Sequence, residues 1–140
     1  MEQNNPLPFS ADQSSRPEPN KLPALTLAYI GDTVYDLFVR TKLAFSRDAT
    51  VHTLHMAAAK LVCAKGQAEA FHRISELLSE EEQAAFKRGR NAHSGTVPKH
   101  ADVRDYRIAT GFEALLGYLY CLGREERITE LMEKAIYTEE

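Results

Sequence analysis

The sequence lacks the features that mark secreted, membrane-bound or metal-clustered proteins. It contains only two cysteines, Cys63 and Cys121, and no apolar run approaching the roughly 20 residues that cross a bilayer. Its N-terminus has neither the basic nor the apolar segment of a signal peptide. These absences predict a cytoplasmic protein without a membrane partner. Two cysteines without metal-site spacing predict reduced thiols in the core.

The sequence also lacks the alternating apolar and polar pattern of β-strands, and it contains no internal repeat. Apolar residues recur at helical spacing instead, and 140 residues suffice for one domain with a real hydrophobic core. We therefore predict an all-α fold. Residues 1–20, rich in Pro, Asn, Ser and Gln, are predicted to be a disordered tail, and residues 21–140 the folded domain.

Local signals place the helix boundaries. Ser79 and Glu82 form the sequence pattern of a capping box, which predicts a helix start. Gly66 and Gly123 are predicted helix breaks. The first predicted helix follows Lys21, runs through Phe38 and ends in a loop near Ala44–Ala49. A second begins at about Val51, a third covers Ala68–Leu78, and a fourth begins at Ser79, runs through Phe86 and fades near Gly89–Asn91. A loop is predicted at 92–102, followed by two last helices over Val103–Leu122 and Arg124–Ile136.

Asp32 and Glu113 are acidic residues within the two most apolar stretches of the chain. A carboxylate on the buried side of a helix costs several kcal/mol unless something compensates its charge. If the two helices cross at Gly31 and Gly117, both carboxylates can converge on one site, and their hard oxygen atoms suit Mg²⁺. The alternative is that Asp32 caps a helix end or pairs with a buried arginine.

Weaker signals come from three other polar residues. Asp36 lies one helical turn after Asp32, where it is either an outer ligand of the same site or an ordinary surface charge. His52 and His55 also lie one turn apart, but no third ligand has the spacing of a zinc site. These histidines either contact a ligand such as RNA or face solvent.

Charge is distributed unevenly along the chain. The net charge is −3, but the segment from Lys87 to Arg107 carries +4 and the rest of the chain −7. A local basic patch can contact phosphates even on an acidic protein, because screening favours the near field. The candidate nucleic-acid-binding residues are Arg88, Arg90, Asn91, Lys99, Arg104 and Arg107. The alternative is that each is a solvated surface residue.

Several motifs resemble one family. The stretch Leu27–Leu37, with its Gly31-Asp32-x-Val34-x-Asp36 pattern, resembles the signature helix of ribonuclease III domains, and Phe112–Gly117 resembles their second conserved helix. Further matches favour the small bacterial branch, Mini-ribonuclease III. They are Lys87-Arg88-Gly89-Arg90-Asn91-Ala92, Ser94-Gly95-Thr96, and the stretch from Tyr106-Arg107 to Leu119. The resemblance covers about residues 22–138.

The resemblance implies a helical endonuclease domain, without a double-stranded-RNA-binding domain, that acts as a homodimer. It implies cleavage of double-stranded RNA with Mg²⁺, or Mn²⁺ as a substitute, with Asp32 and Glu113 as the catalytic and metal-binding residues. It further implies maturation of the large-subunit (23S) ribosomal RNA precursor on an assembling particle, with a ribosomal protein as partner. Larger ribonucleases III have two more carboxylates, where this chain has Ala28 and Thr110.

Two other functions compete with this interpretation. One is an inactive, RNA-binding relative of the same fold, which retention of both Asp32 and Glu113 argues against. The other is a helical protein–protein adaptor, which has no evident use for a carboxylate in each apolar helix. The apolar surface of Phe112–Leu122 is also too extensive, on the sequence pattern, for one chain to bury, which predicts a symmetric dimer.

Overall fold

The computed structural model describes residues 16–92, 97, 99 and 102–136. Within these residues the chain forms six α-helices and no strand, which confirms the all-α prediction. The helices are α1 (Ala24–Ser46), α2 (Val51–Val62), α3 (Ala64–His72), α4 (Glu80–Arg90), α5 (Val103–Cys121) and α6 (Glu125–Ala135). Short 3-10 turns occupy Pro19–Lys21 and Ser75–Leu77. No helix in this part of the chain is both long and apolar enough to cross a bilayer.

Helix α5 lies at the centre of the domain and packs against α1, α3, α4 and α6. Leu115, Leu116 and Leu119 are completely buried, and Phe112 meets the ring of Tyr35 edge to face. The prediction that one chain could not bury Phe112–Leu122 is therefore wrong. Four surrounding helices cover this stretch on nearly every side, so α5 offers no large apolar face to a second molecule.

Two predicted helix boundaries are confirmed by their hydrogen bonds and backbone angles. The Ser79 side chain accepts from the Glu82 amide at 3.2 Å, and the Glu82 carboxylate accepts from the Ser79 amide at 2.9 Å. This reciprocal pair satisfies two amides that a helix start leaves without partners. Gly123 separates α5 from α6 with a φ of 74°, a left-handed conformation that glycine adopts without strain.

The break after α2 differs from the prediction, because it falls at Cys63 and not at Gly66. Cys63 turns into extended backbone, and its sulfur accepts a hydrogen bond from the Gly66 amide at 3.4 Å. It is exposed, so the predicted core thiol is wrong for Cys63 and right for the buried Cys121. The third helix ends at His72, earlier than predicted, because a separate 3-10 turn precedes Leu78.

The described chain begins at Arg16, inside the segment predicted as a tail, and residues 1–15 lie outside the described residues. Arg16 donates to the carbonyl of Tyr120 at 2.6 Å and pairs with the Glu125 carboxylate at 2.8 Å. Its guanidinium also lies 4.4 Å from the centre of the Tyr120 ring. Residues just before the first helix therefore contact both α5 and α6.

Candidate functional site

The backbones of α1 and α5 touch where they cross, at the two glycines that the sequence analysis singled out. A Cβ atom at Gly31 would lie 1.7 Å from the main-chain oxygen of Glu113, and one at Gly117 would lie 2.0 Å from that of Leu27. No side chain fits at either distance. The predicted crossing is therefore confirmed, and its closeness depends on the absence of a side chain at both positions.

This crossing brings the carboxylates of Asp32 and Glu113 within hydrogen-bonding reach of each other. Burial, followed by the hydrogen bond and the charge of Asp32, raises the pKa of Glu113 to about 8, although a hydrogen bond from Gln67 opposes the shift. A carboxylate that is costly to ionise beside another carboxylate is a common feature of functional sites.

Asp32 differs from its prediction in one respect, because it is exposed and does not lie on the buried side of α1. It is in the interior of α1, which rules out a role at a helix end. In the described part of the chain, no lysine, arginine or histidine makes an ion pair with Asp32 or Glu113. The pair thus consists of one solvent-facing and one partly buried carboxylate, neither of which forms an ion pair within the described residues.

Asp36 does not join this pair. The guanidinium Nε atom of Arg40 lies 2.9 Å from each of its carboxylate oxygens, one turn further along α1. This is the ordinary arrangement of opposite charges at (i, i+4) on a helix surface. Of the two interpretations of Asp36, the structure favours the surface charge.

Gln67 is a site residue that the sequence analysis missed. Only 3 % of its surface is exposed, and its side-chain amide donates to the Val62 carbonyl at 2.9 Å and to Oε2 of Glu113 at 3.2 Å. Its own side-chain oxygen has no hydrogen-bond partner within the described residues. The sequence gives no signal for it, because α3 also carries the polar residues Lys65, Glu69 and His72.

A basic groove lies between the end of α4 and the start of α5. It has a volume of about 580 Å³, and four of the six candidate RNA-binding residues line it, namely Arg90, Asn91, Arg104 and Arg107. Phe71, His72 and Phe86 also contribute to its wall. The Arg90 guanidinium lies 5.7 Å from the centre of the Phe86 ring, which holds its charge at the groove. His72 is a lining residue that the sequence analysis did not identify.

The two remaining candidates do not line the basic groove. Arg88 is exposed on α4 and donates to the Leu22 carbonyl at 2.9 Å, so part of its hydrogen-bonding capacity ties α4 to the segment before α1. Lys99 is exposed in the connection between α4 and α5. The matching residues Ser94-Gly95-Thr96 of this connection lie outside the described residues.

His52 and His55 are exposed and line a second groove, of about 500 Å³, with Arg40 and Val51. Among the described residues, no three histidine, cysteine, aspartate or glutamate side chains gather closely enough to hold a metal ion together. At the helix crossing, the protein contributes two carboxylates.

Comparisons with known proteins agree with one another. The Ribonuclease III domain model matches residues 25–124. The Mini-ribonuclease 3 of Thermoanaerobacter sp. (strain X514) is 50% identical over 115 residues, which cover 82% of this chain and 81% of that protein. The Mini-ribonuclease 3 of Clostridium tetani is 41% identical over 129 residues, covering 91% and 85%.

A solved structure supports the same relationship at the level of the fold. The crystal structure of a Fusobacterium nucleatum protein superimposes with a TM-score of 0.73 at 30% sequence identity, covering 81% of this chain and 90% of that one. The sequence matches include both helices of the α1–α5 crossing. The chain therefore belongs to the ribonuclease III domain family, in the branch of the Mini-ribonucleases 3.

Proposed function

We propose that this protein is a metal-dependent endoribonuclease that cleaves double-stranded RNA, with Asp32 and Glu113 as its catalytic and metal-binding residues. The observation that carries the proposal is the convergence of these two carboxylates at the Gly31–Gly117 crossing. The names of the relatives, Mini-ribonuclease 3, supply the reaction class.

The two carboxylates fit a divalent cation such as Mg²⁺ or Mn²⁺. They offer hard oxygen ligands from two helices, and no cationic side chain in the described part of the chain neutralises them. When bound, such an ion supplies Lewis acidity for phosphodiester hydrolysis. Asp32 would hold the ion from the solvent side, where a substrate approaches, and Glu113 from the protein side.

The basic groove is the surface that we propose holds the duplex. Helix α5 carries both Arg107 of the groove and Glu113, and α3 carries both His72 of the groove and Gln67, the hydrogen-bond partner of Glu113. Arg107 and Glu113 are six residues apart, about 9 Å along the helix axis. Duplex RNA is bound mainly through phosphates and 2′-hydroxyl groups, which suits arginine and asparagine side chains.

We extend the proposal to a cytoplasmic enzyme that acts on the large-subunit (23S) ribosomal RNA precursor within an assembling particle, where a ribosomal protein would be its partner. Support for this substrate is the family relationship. Mapping the ends produced from the naked precursor and from the precursor in particles tests it. Equally efficient cutting of unrelated duplexes would contradict a dedicated substrate.

The first prediction concerns the charge of the carboxylate pair in the absence of metal. The pKa of Glu113 rises from 4.5 to about 8 on folding, so between these pH values the folded state holds a proton that the unfolded state has lost. Stability from this residue therefore falls as the pH rises from 4.5 to 8. Glu113→Gln removes the effect and should be more stable than wild type by about 2 kcal/mol at pH 8.5.

Urea denaturation in EDTA at pH 8.5 and pH 4 measures this difference, which should vanish at the lower pH. Added Mg²⁺ should then stabilise wild type and leave Glu113→Gln nearly unchanged. Glu69→Gln, on the exposed surface of α3, is the matched control. Equal stability of wild type and Glu113→Gln at both pH values would show that the ionised carboxylate pair does not destabilise the folded state.

The second prediction separates cleavage from binding. Asp32→Asn and Glu113→Gln keep side-chain size but remove an anionic ligand, so single-turnover cleavage of a duplex at saturating enzyme and Mg²⁺ should fall by at least about 100-fold. Duplex affinity should stay within about threefold, because the basic groove is intact. Asp36→Asn, on the same helix, is the matched control and should cleave normally.

Near-wild-type cleavage by either site variant would mean that the carboxylates are structural. Wild type that binds duplex RNA without cutting it would favour the inactive RNA-binding relative. Absence of binding would favour the protein–protein adaptor.

The third prediction concerns the basic groove. Arg104→Gln/Arg107→Gln should weaken duplex binding about tenfold or more and lower the salt dependence of binding by up to two counterions, because each arginine is proposed to contact a phosphate. Lys21→Gln/Lys134→Gln removes the same charge at exposed positions that do not line the groove. Filter binding across a salt series measures duplex affinity and its salt dependence. Equal losses of affinity in the two variants would show that only the net charge of the protein matters.

The fourth prediction is a homodimer, since one carboxylate pair per chain requires two chains to cut both strands. Because α5 is buried, the interface must use other residues. Tyr29, Phe45 and Val51 are the large apolar side chains most exposed in the described part of the chain, at 81%, 87% and 82%. Sedimentation at micromolar concentration should give twice the chain mass. A monomer that still cleaves both strands would contradict the dimer.

A further inference from the structure

Gln67 connects the partly buried carboxylate to the end of another helix. One of its amide hydrogens points to Oε2 of Glu113, at 3.2 Å between the heavy atoms, and the other to the Val62 carbonyl, at 2.9 Å. The side chain is 97 % buried, with 3 % of its surface exposed, so neither bond competes freely with water. The carboxylate therefore has a fixed donor on its protein side.

The Val62 carbonyl belongs to a rigid end of α2. The last carbonyls of a helix have no partner within it, and three side chains satisfy them here. Cys63 donates to the Lys60 carbonyl at 3.4 Å, Tyr35 donates to that of Leu61 at 2.6 Å, and Gln67 donates to that of Val62. The anchor of Gln67 is thus part of a cap that three side chains form at the end of α2.

The same cap also holds α1. Tyr35, completely buried, comes three residues after Asp32, and its bond to Leu61 ties that part of α1 to the end of α2. On the other side, a Cβ at Gly66 would lie 2.2 Å from the Lys60 carbonyl, so the first turn of α3 approaches α2 closely. Both carboxylate-bearing helices are therefore connected to the α2–α3 junction.

We propose that Gln67 is a positioning residue that holds the Glu113 carboxylate in the orientation needed for metal binding. The inference rests on the proposed function, because it concerns the same site. An amide donor can hydrogen-bond a carboxylate without adding a positive charge, so it restricts rotation of Glu113 without forming an ion pair that would compete with a metal ion. The side chain acts through Glu113 and touches no substrate.

The test measures metal binding by the full chain without RNA. Gln67→Met keeps the length of the side chain and removes both donors. Titration with Mn²⁺, followed by the electron paramagnetic resonance signal of the free ion, should show about tenfold weaker binding. Glu113→Gln should bind more weakly still. Gln83→Met is the matched control, because Gln83 also donates to a main-chain carbonyl, that of Leu78, but contacts neither carboxylate.

Cleavage supplies a second readout that a structural role would not change. In Gln67→Met the Mg²⁺ concentration for half-maximal single-turnover cleavage should rise about tenfold, while the rate at excess Mg²⁺ returns towards wild type and duplex affinity is unchanged. If Gln67→Met does not fold, Gln67→Asn is used for the same measurements. Its side chain is one methylene shorter, so its amide cannot reach both the Val62 carbonyl and the Glu113 carboxylate.

The outcomes separate this inference from the proposed function. If Glu113→Gln loses Mn²⁺ but a folded Gln67 variant binds it like wild type, Gln67 only caps α2 and the inference is wrong. Equal weakening by Gln83→Met would also contradict it. If wild type itself binds no Mn²⁺, the metal site and the inference fall together.

Discussion

Backbone contact between α1 and α5 is the constraint on which the rest of the structure depends. Two glycines let main-chain atoms of one helix approach those of the other, and a methyl group at either would lie about 2 Å or less from a carbonyl oxygen. Because Asp32 follows Gly31 directly and Glu113 itself supplies the carbonyl that Gly31 faces, the same contact that closes the core also sets the separation of the two carboxylates. Stability and the candidate site cannot vary independently at this point, since any change that spreads the helices also separates the acids.

The carboxylate pair lowers the stability of the metal-free fold, and the structure reduces this effect without removing it. Asp32 remains in solvent, so only Glu113 carries a large desolvation penalty, visible as its raised pKa of about 8. Gln67 offsets part of it with one neutral donor. A buried arginine in that place would neutralise the pair and stabilise the metal-free fold, but it would also compete with a cation. The absence of such a partner in the described part of the chain is what a site that accepts a metal requires.

Sequence patterns predicted the features that depend on local or pairwise rules. The capping box at Ser79, the turn at Gly123 and the crossing at Gly31 and Gly117 follow from hydrogen bonding, backbone conformation and side-chain size, all of which can be seen in the sequence. Exposure of Asp32 and of Cys63 could not be predicted in the same way, because apolar neighbours along the chain do not tell which face of a helix is covered. Gln67 was missed for a related reason. Its partners, Val62 and Glu113, come from a preceding helix and from a helix 46 residues later, so only the tertiary arrangement identifies it.

Helix α5 combines functions that small proteins usually separate. Its middle and end supply the fully buried core residues Leu115, Leu116 and Leu119, its first turns supply Arg104 and Arg107 to the basic groove, and Glu113 lies between these two regions. A rigid, buried helix is a better support for such a site than a loop, because the spacing between phosphate-binding and carboxylate groups is then set by the helix rise. The helix that organises the core therefore also carries part of the proposed binding surface and half of the proposed metal site.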